Sequence, residues 1–263
     1  MRDVEIVVLS DLHLGTFGCH AKELVHYLKN IRPKKLILNG DIVDIWYFKK
    51  RYFPKEHFQV VETFLEMLQD GVEIYYLTGN HDDMLRRLSD LSLGKFKLLD
   101  KLVLKIDNQL HWFFHGDVFD ASIQHAKWIA KLGGQGYELL IRINRFVNVV
   151  LNKMGRPSMS LSKAVKTNVK KAIKYVNDFE LTAAELAIDN GYDYVICGHI
   201  HQAQNRVVRN QYGSVVYLNS GDWVENLTAL EYNEREWRIF DYEVWVRSME
   251  MNSVSELRTA FTR

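Results

Sequence analysis

The stretch Glu5-Ile6-Val7-Val8-Leu9-Ser10-Asp11-Leu12-His13 is an apolar, β-branched run that stops on two side chains able to ligate a metal. Such a run reads as a buried strand, and the polar pair places chemistry at its end. The pattern recurs along the chain. Residues 35–39 run into Gly40-Asp41, and residues 73–78 into Gly79-Asn80-His81-Asp82. Residues 110–114 run into His115-Gly116-Asp117, and residues 194–197 into Gly198-His199-Ile200-His201. A further strand is expected over 215–218. Helical patterns over 21–30 and 58–68 fall between the early strands, so the sheet is expected to be at least partly parallel, with crossover helices. The fold class is α/β, and in such sheets ligands gather outside the carboxyl ends of the strands.

If these strands are neighbours, their ends bring Asp11, His13, Asp41, Asn80, His115, His199 and His201 to one rim. Two carboxylates, an amide oxygen and four imidazoles at buried strand ends leave unpaired polar groups unless a cation sits among them. Seven donors exceed the need of one structural zinc, and a mixed oxygen and nitrogen set without cysteine suits Mn²⁺, Fe or Zn²⁺ better than Ca²⁺ or Mg²⁺. Two ions divide the set sensibly, with Asp41, tied into a Gly-Asp turn, best suited to be shared. Ions roughly 3.5–4 Å apart can activate water and clamp a phosphate oxygen, so phosphoester hydrolysis is the natural chemistry.

The 263 residues are 47% hydrophobic and 25% charged, which excludes a linker or tail and suffices for a large core without disulfides. Cys19 and Cys197 form no paired pattern and read as free thiols, which favours a cytoplasmic location. The first apolar run is too short for a signal peptide, and no stretch reaches the ~18 apolar residues of a spanning helix. Net charge is only +1, yet residues 120–180 hold eleven Lys or Arg against four Asp or Glu. Between 117 and 192 the strand rhythm stops and the pattern is mostly helical, notably over 137–152 and 161–188, with a break at Gly155 and Pro157. The expected organisation is a core of residues 1–119 and 190–263 with a helical cap inserted over 120–189. After Trp223, further short strands and a polar tail are expected.

In this order, Asp11-x-His13, Gly40-Asp41-x-x-Asp44, Gly79-Asn80-His81-Asp82, His115-Gly116-Asp117 and Gly198-His199-x-His201 resemble the calcineurin-like metallophosphoesterase superfamily. The resemblance spans residues 2–223 apart from the helical insert. It implies a sandwich of two mixed β-sheets flanked by helices, holding two divalent ions with Mn²⁺ foremost. Asp11, His13, Asp41 and His201 would bind one ion, and Asp41, Asn80, His115 and His199 the other. His81 would contact the phosphate and protonate the leaving oxygen, with Asp44 as its orienting partner, since a carboxylate favours the imidazolium an acid begins as. Asp82 and Asp117 read equally as turn residues or as groups that hydrogen-bond metal-bound imidazoles.

The insert resembles the helical cap of UDP-2,3-diacylglucosamine hydrolases, enzymes of lipid A synthesis that cut a pyrophosphate to give UMP and an acylated sugar 1-phosphate. Ser160-Leu161-Ser162-Lys163 is similar to a Ser/Lys stretch in that cap, which makes Lys163 a candidate phosphate contact. Those hydrolases commonly carry Arg after the metal-binding Asn, whereas here the residue is His81. Residues 137–152 give a broadly apolar helix, with Phe146 and Val150 as candidate acyl contacts and Arg142 and Arg145 marking a basic side. The expected partners are a nucleotide-linked glycolipid and, peripherally, the inner membrane surface. The same helix could instead pack on the core with its arginines solvated. The run Trp46-Tyr47-Phe48-Lys49-Lys50-Arg51-Tyr52-Phe53 reads either as a rim of the same entrance or as packing beneath a loop. A nuclease or general phosphodiesterase is the alternative, against which the near-neutral charge counts. A non-catalytic scaffold would be expected to lack a ligand, and none is missing. Oligomeric state is not legible.

Overall fold

Strand β1 (Arg2–Leu9) divides its side chains between two apolar layers, Val7 and Leu9 in one, Ile6 and Val8 in the other. The computed structural model describes residues 1–45, 52–121 and 162–261, with side chains for 1–45, 52–119 and 174–251. The same division recurs in β2 (Ile31–Asn39), where Leu36 and Leu38 oppose Ile37, and in β3 (Glu73–Leu77), where Ile74 and Tyr76 oppose Tyr75 and Leu77. Strands apolar on both faces need cover on both faces, and the chain supplies it with a second sheet and with helices.

The remaining strands are β4 (Leu91–Leu93), β5 (Phe96–Leu99), β6 (Lys101–Ile106), β7 (Gln109–Phe114), β8 (Tyr194–Cys197), β9 (Gln204–Asn210), β10 (Gly213–Asn219), β11 (Thr228–Asn233) and β12 (Glu236–Asp241). They form a seven-stranded sheet in the order β12-β11-β1-β2-β3-β5-β4 and a five-stranded sheet in the order β6-β7-β8-β10-β9. Both are mixed: β1, β2, β3 and β5 run parallel in the first, β7, β8 and β10 in the second, with antiparallel strands outside them. The layer between the sheets joins Ile6, Val8, Ile37 and Leu77 to Phe113, Ile196 and Leu218. The other layer takes Leu24 and Tyr27 from helix α1 (Ala21–Leu28) and Val60 and Phe64 from α2 (Lys55–Gln69). The chain is thus an α/β sandwich of two mixed sheets with helices.

The chain divides into two compact units, Met1–Asp117 with Ala183–Arg263, and Val118–Thr182. Helix α3 (Ser162–Asp189) contributes to both, and its Ala183, Ala184 and Ala187 are buried. In the smaller unit the Phe119 and Phe179 rings meet edge to face, 5.5 Å apart. Lys163 lies on the α3 backbone, with its side chain outside the described residues. Arg142, Arg145, Phe146 and Val150 lie outside the described residues altogether, as does 46–51. The polar tail expected after the last strand is instead helix α4 (Tyr242–Phe261), started by Asp241, whose Oδ1 accepts from the Val244 N–H at 3.0 Å. Its first turns touch the core through Tyr242 and Trp245, while Val244, Met249 and Met251 are exposed. No clean apolar stripe therefore marked it as a helix. No described helix is long and apolar enough to cross a membrane.

One polar group sits inside the aromatic end of the layer between the sheets. His111 on β7 is fully buried, stacked on Tyr194 at 4.2 Å, with Nδ1 3.2 Å from the Gln109 carbonyl and Nε2 without a hydrogen-bond partner. Burial pushes its pKa below the ordinary histidine value. The unfolded chain then binds a proton that the folded chain refuses, so folding free energy is lost as pH falls below the unfolded value of about 6.5. His111→Phe removes this term. Thermal unfolding of both proteins at pH 7 and pH 5 should show the variant gaining on the parent at the lower pH, and an equal difference at both would count against the assignment.

Candidate metal centre

Parallel pairing levels the strand ends. Leu9 lies opposite Leu38, Asn39 opposite Leu77, Phe113 opposite Ile196, and Cys197 opposite Asn219, so the residues that follow emerge on one rim. Asn39 ties the sheets together there. Its Nδ2 donates to the carbonyls of Phe114 (3.2 Å) and Ile196 (3.5 Å), and its own carbonyl accepts from His115 Nδ1 at 2.9 Å, which aims Nε2 inward.

The backbone at the rim is unusual. Asp11, His13, Asp41, His199 and His201 all have left-handed φ, between 51° and 69°. For residues with a Cβ this conformation costs roughly 1–2 kcal/mol each, and such strain gathers at functional sites. Three glycines, Gly40, Gly79 and Gly198, give the side chains room. A Cβ on Gly40, itself at φ +84°, would run into the His115 ring, and one on Gly198 would lie 2.7 Å from Asp11 Oδ2.

The two buried carboxylates are held alike. Asp11 Oδ2 accepts from the His199 N–H (3.0 Å), and Oδ1 lies 3.2 Å from His201 Nε2 and 4.0 Å from His13 Nε2. Asp41 Oδ1 accepts from the His81 N–H (2.8 Å), and Oδ2 lies 3.3 Å from His115 Nε2 and 3.9 Å from both His13 Nε2 and His81 Nε2. One oxygen of each is fixed by the chain and the other faces imidazoles. Three clusters of potential ligand atoms result: Asp11, His13 and His201; His13, Asp41 and His81; and Asp41, His115 and His199. Asp11 Oδ1, Asn80 Oδ1 and His115 Nε2 are buried and make no aligned hydrogen bond. Orphaned donors of this kind, oxygen and imidazole without thiolate, fit divalent ions.

The electrostatics agree. Burial alone would raise the Asp11 carboxyl, but His201 and His115 hold it down at about 2, and His115 and its neighbours hold Asp41 lower still. Burial disfavours the charged rings, yet Asp41 and Asp11 lift His115 far above the ordinary histidine range, and Asp11 lifts His201 to about 9. Without an ion, protons supply the positive charge.

His81 Nδ1 is 2.9 Å from Asp44 Oδ2, and the His81 side chain is 36% exposed, so the ring reaches solvent. Burial works against its charged form, but Asp44 and Asp41 outweigh it and the pKa is raised. Asp82, read above as a turn residue or an imidazole partner, does neither alone. Its Oδ1 accepts from the Gly79 N–H (2.6 Å) and its Oδ2 from the Ile42 N–H (2.9 Å) and the Tyr76 hydroxyl (2.7 Å), clamping the loop of Asn80 to the loop of Asp41. Asp117 accepts from Arg86 Nη2 at 2.6 Å. Asp222 was missed. It is fully buried, its Oδ1 caps the Val224 N–H (2.7 Å) and lies 4.0 Å from His201 Nδ1, and Asn226 Nδ2 donates to the His201 carbonyl. The signal available was Asn219-Ser220-Gly221-Asp222, one more polar turn at a strand end. Asp82→Ala strands three buried donors and should cost on the order of 2–3 kcal/mol. It should also weaken metal retention on dialysis, and a variant that keeps parental metal content would show that this clamp does not position Asn80.

A family model for calcineurin-like phosphoesterases matches residues 4–203. The UDP-2,3-diacylglucosamine hydrolase of Blochmanniella pennsylvanica (strain BPEN) is 24% identical over 239 residues, covering 88% of this chain and 93% of that protein. The enzyme of the same name from Aliivibrio fischeri (strain MJ11) is 23% identical over 236 residues, covering 88% and 95%. Among solved structures, an archaeal phosphodiesterase covers 90% of this chain and 98% of its own at 17% identity, with a TM-score of 0.43. With the family match running from β1 past His201 and enclosing the whole cluster of imidazoles and carboxylates, the chain belongs to the calcineurin-like phosphoesterase family and is a hydrolase.

Proposed function

We propose that the protein cleaves the pyrophosphate of UDP-2,3-diacylglucosamine, or of a related nucleotide-linked lipid, to UMP and an acylated sugar 1-phosphate. The observation that carries this reading is the pair of clusters, Asp11, His13, His201 and Asp41, His115, His199, in a chain whose relatives bear that hydrolase's name. Asp11, His13, Asp41 and His201 would hold one ion and Asp41, Asn80, His115 and His199 a second, with Mn²⁺ the first choice and Fe or Zn²⁺ suited to the same donors. Two such ions supply Lewis acidity, lowering the pKa of water and drawing charge from phosphoryl oxygens.

The chain's own groups do the rest. Asp44 holds His81 through Nδ1, which leaves the Nε2–H free to protonate the departing oxygen. An Arg at this position would stabilise charge but would not readily give up a proton, whereas His can do both. The segment 120–189 serves as the cap. Its surplus of basic residues, with Lys163, Arg142 and Arg145, would meet phosphates, and Phe146 and Val150 would meet acyl chains. Peripheral contact with the inner membrane from the cytoplasmic side follows from such a substrate.

Metal analysis should approach two ions per chain, with Asp41→Ala losing both and His13→Ala chiefly weakening one. Full activity in excess chelator, once metal content is shown to be nil, would end this mechanism. Incubation of the loaded protein with UDP-2,3-diacylglucosamine should release UMP. Turnover of small diesters with none of the lipid would transfer the protein to the general phosphodiesterases.

His81→Ala should keep its metals and lose roughly 10²–10⁴-fold in turnover on a sugar-phosphate leaving group. It should lose far less on a nitrophenyl ester, whose leaving group needs little protonation. Equal losses on both substrates would recast His81 as a phosphate binder.

A further inference from the structure

The backbone that carries His13 continues into an open cavity of about 280 Å³, lined by Phe17, Cys19, Lys22, Tyr52, Glu56 and His57 among others. The Thr16 N–H and hydroxyl both donate to the His13 carbonyl, at 3.1 and 2.9 Å, and the Asp44 N–H donates to the Leu14 carbonyl at 2.8 Å. The cavity wall is therefore anchored to two residues of the reaction centre. Of the run Trp46–Phe53, the two described residues part here: Phe53 packs into the apolar layer, while Tyr52 lies against Phe17, ring centroids 3.9 Å apart and tilted by 35°.

Two features of this cavity bear on what it could hold. Phe17 is 82% exposed, so an aromatic pair is presented to solvent instead of being buried. His57 is the converse, 3% exposed at the cavity wall. Its Nδ1 accepts the Gly15 N–H at 2.8 Å, which places the proton on Nε2, and that N–H has no hydrogen-bond partner among the described residues. On a residue that lines the cavity, that donor is left for a ligand there to meet. The Cys19 thiol beside it is pushed up by burial to about 12 and stays protonated. An acyl chain would use the aromatic faces but not the donor. A flat ring bearing carbonyl oxygens uses both, and the cavity adjoins the His81 partner Asp44, since Gly15, held by His57, lies against the Asp44 and Tyr52 carbonyls.

We propose that Phe17, Tyr52 and His57 form the subsite for the nucleobase of a nucleotide-linked substrate, the aromatic pair stacking on the ring and His57 Nε2–H donating to a base carbonyl. This rests on the pyrophosphatase reading above. The test compares UMP with ribose 5-phosphate, which lacks only the base, by calorimetry on the metal-loaded full chain. The parent should bind UMP more tightly than ribose 5-phosphate. Phe17→Ala, a surface change that spares folding, should weaken UMP about tenfold, the usual loss for one base–aromatic stack, and leave ribose 5-phosphate unchanged. Phe17→Tyr should restore UMP binding. Equal affinity of the parent for both ligands, or unchanged UMP affinity in both Phe17→Ala and Tyr52→Ala, overturns the subsite. Lipid hydrolysis measured on the same preparations separates the two readings. Phe17-dependent UMP binding without hydrolysis removes the lipid substrate and keeps the subsite, and hydrolysis with Phe17-independent UMP binding does the reverse.

Discussion

Two carboxylates with almost no access to water, Asp11 and Asp41, are the constraint on which the rest of this molecule turns. A buried negative charge costs several kcal/mol unless positive charge and hydrogen bonds surround it. Each carboxylate gives one oxygen to a backbone N–H from the loop after a later strand and turns the other toward imidazoles. The strands carrying these groups are far apart in sequence, so the sheets must form before the charges can be met. Metal ions and protons then compete for one space, since His115 and His201, two of the rings that would hold ions, are held toward their protonated forms by the same carboxylates.

The sheets also bear the strain. Five non-glycine residues in left-handed backbone persist only because both flanking segments are pinned, by parallel ladders on one side and by contacts such as His13 N–H to the Asp41 carbonyl on the other. Asn39 is central here. A single side chain linking β2 to the carbonyls ending β7 and β8 keeps the two sheets level, and its carbonyl orients His115. Neither Asn39 nor Asp82 needs to touch substrate, yet each fixes the loops that carry the proposed ligands.

Much of this was legible in the sequence because the strands that build the rim are short, apolar on both faces and stopped by Gly, Asp, Asn or His. The alternation of Ile6 and Val8 against Val7 and Leu9 is a local signal, as is the order of the motifs. The strands β4, β5, β6 and β9 were not legible, since their solvent-facing residues dilute the pattern, as in the wholly exposed Leu91–Leu93. Helix α4 was missed because exposed apolar residues such as Val244 and Met251 blur the face that Tyr242 and Trp245 turn to the core. Asn39, Asp222 and the clamp at Asp82 depend on contacts between distant segments, and no spacing rule exposes such contacts. The exposed pair of Phe17 and Tyr52 joins two loops for the same reason.

Strands β7 and β8 are parallel neighbours, so the chain between them cannot return by a tight turn and has to cross over whatever its length. The detour is compulsory, and extending it is cheap, because closure entropy grows only with the logarithm of length. Residues of the smaller unit, Val118–Thr182, can therefore be lengthened, shortened or exchanged without disturbing the register on which Asp11, Asp41, His115 and His199 depend. Descent within such a lineage could retool what is recognised through this one connection while inheriting the reaction centre unchanged.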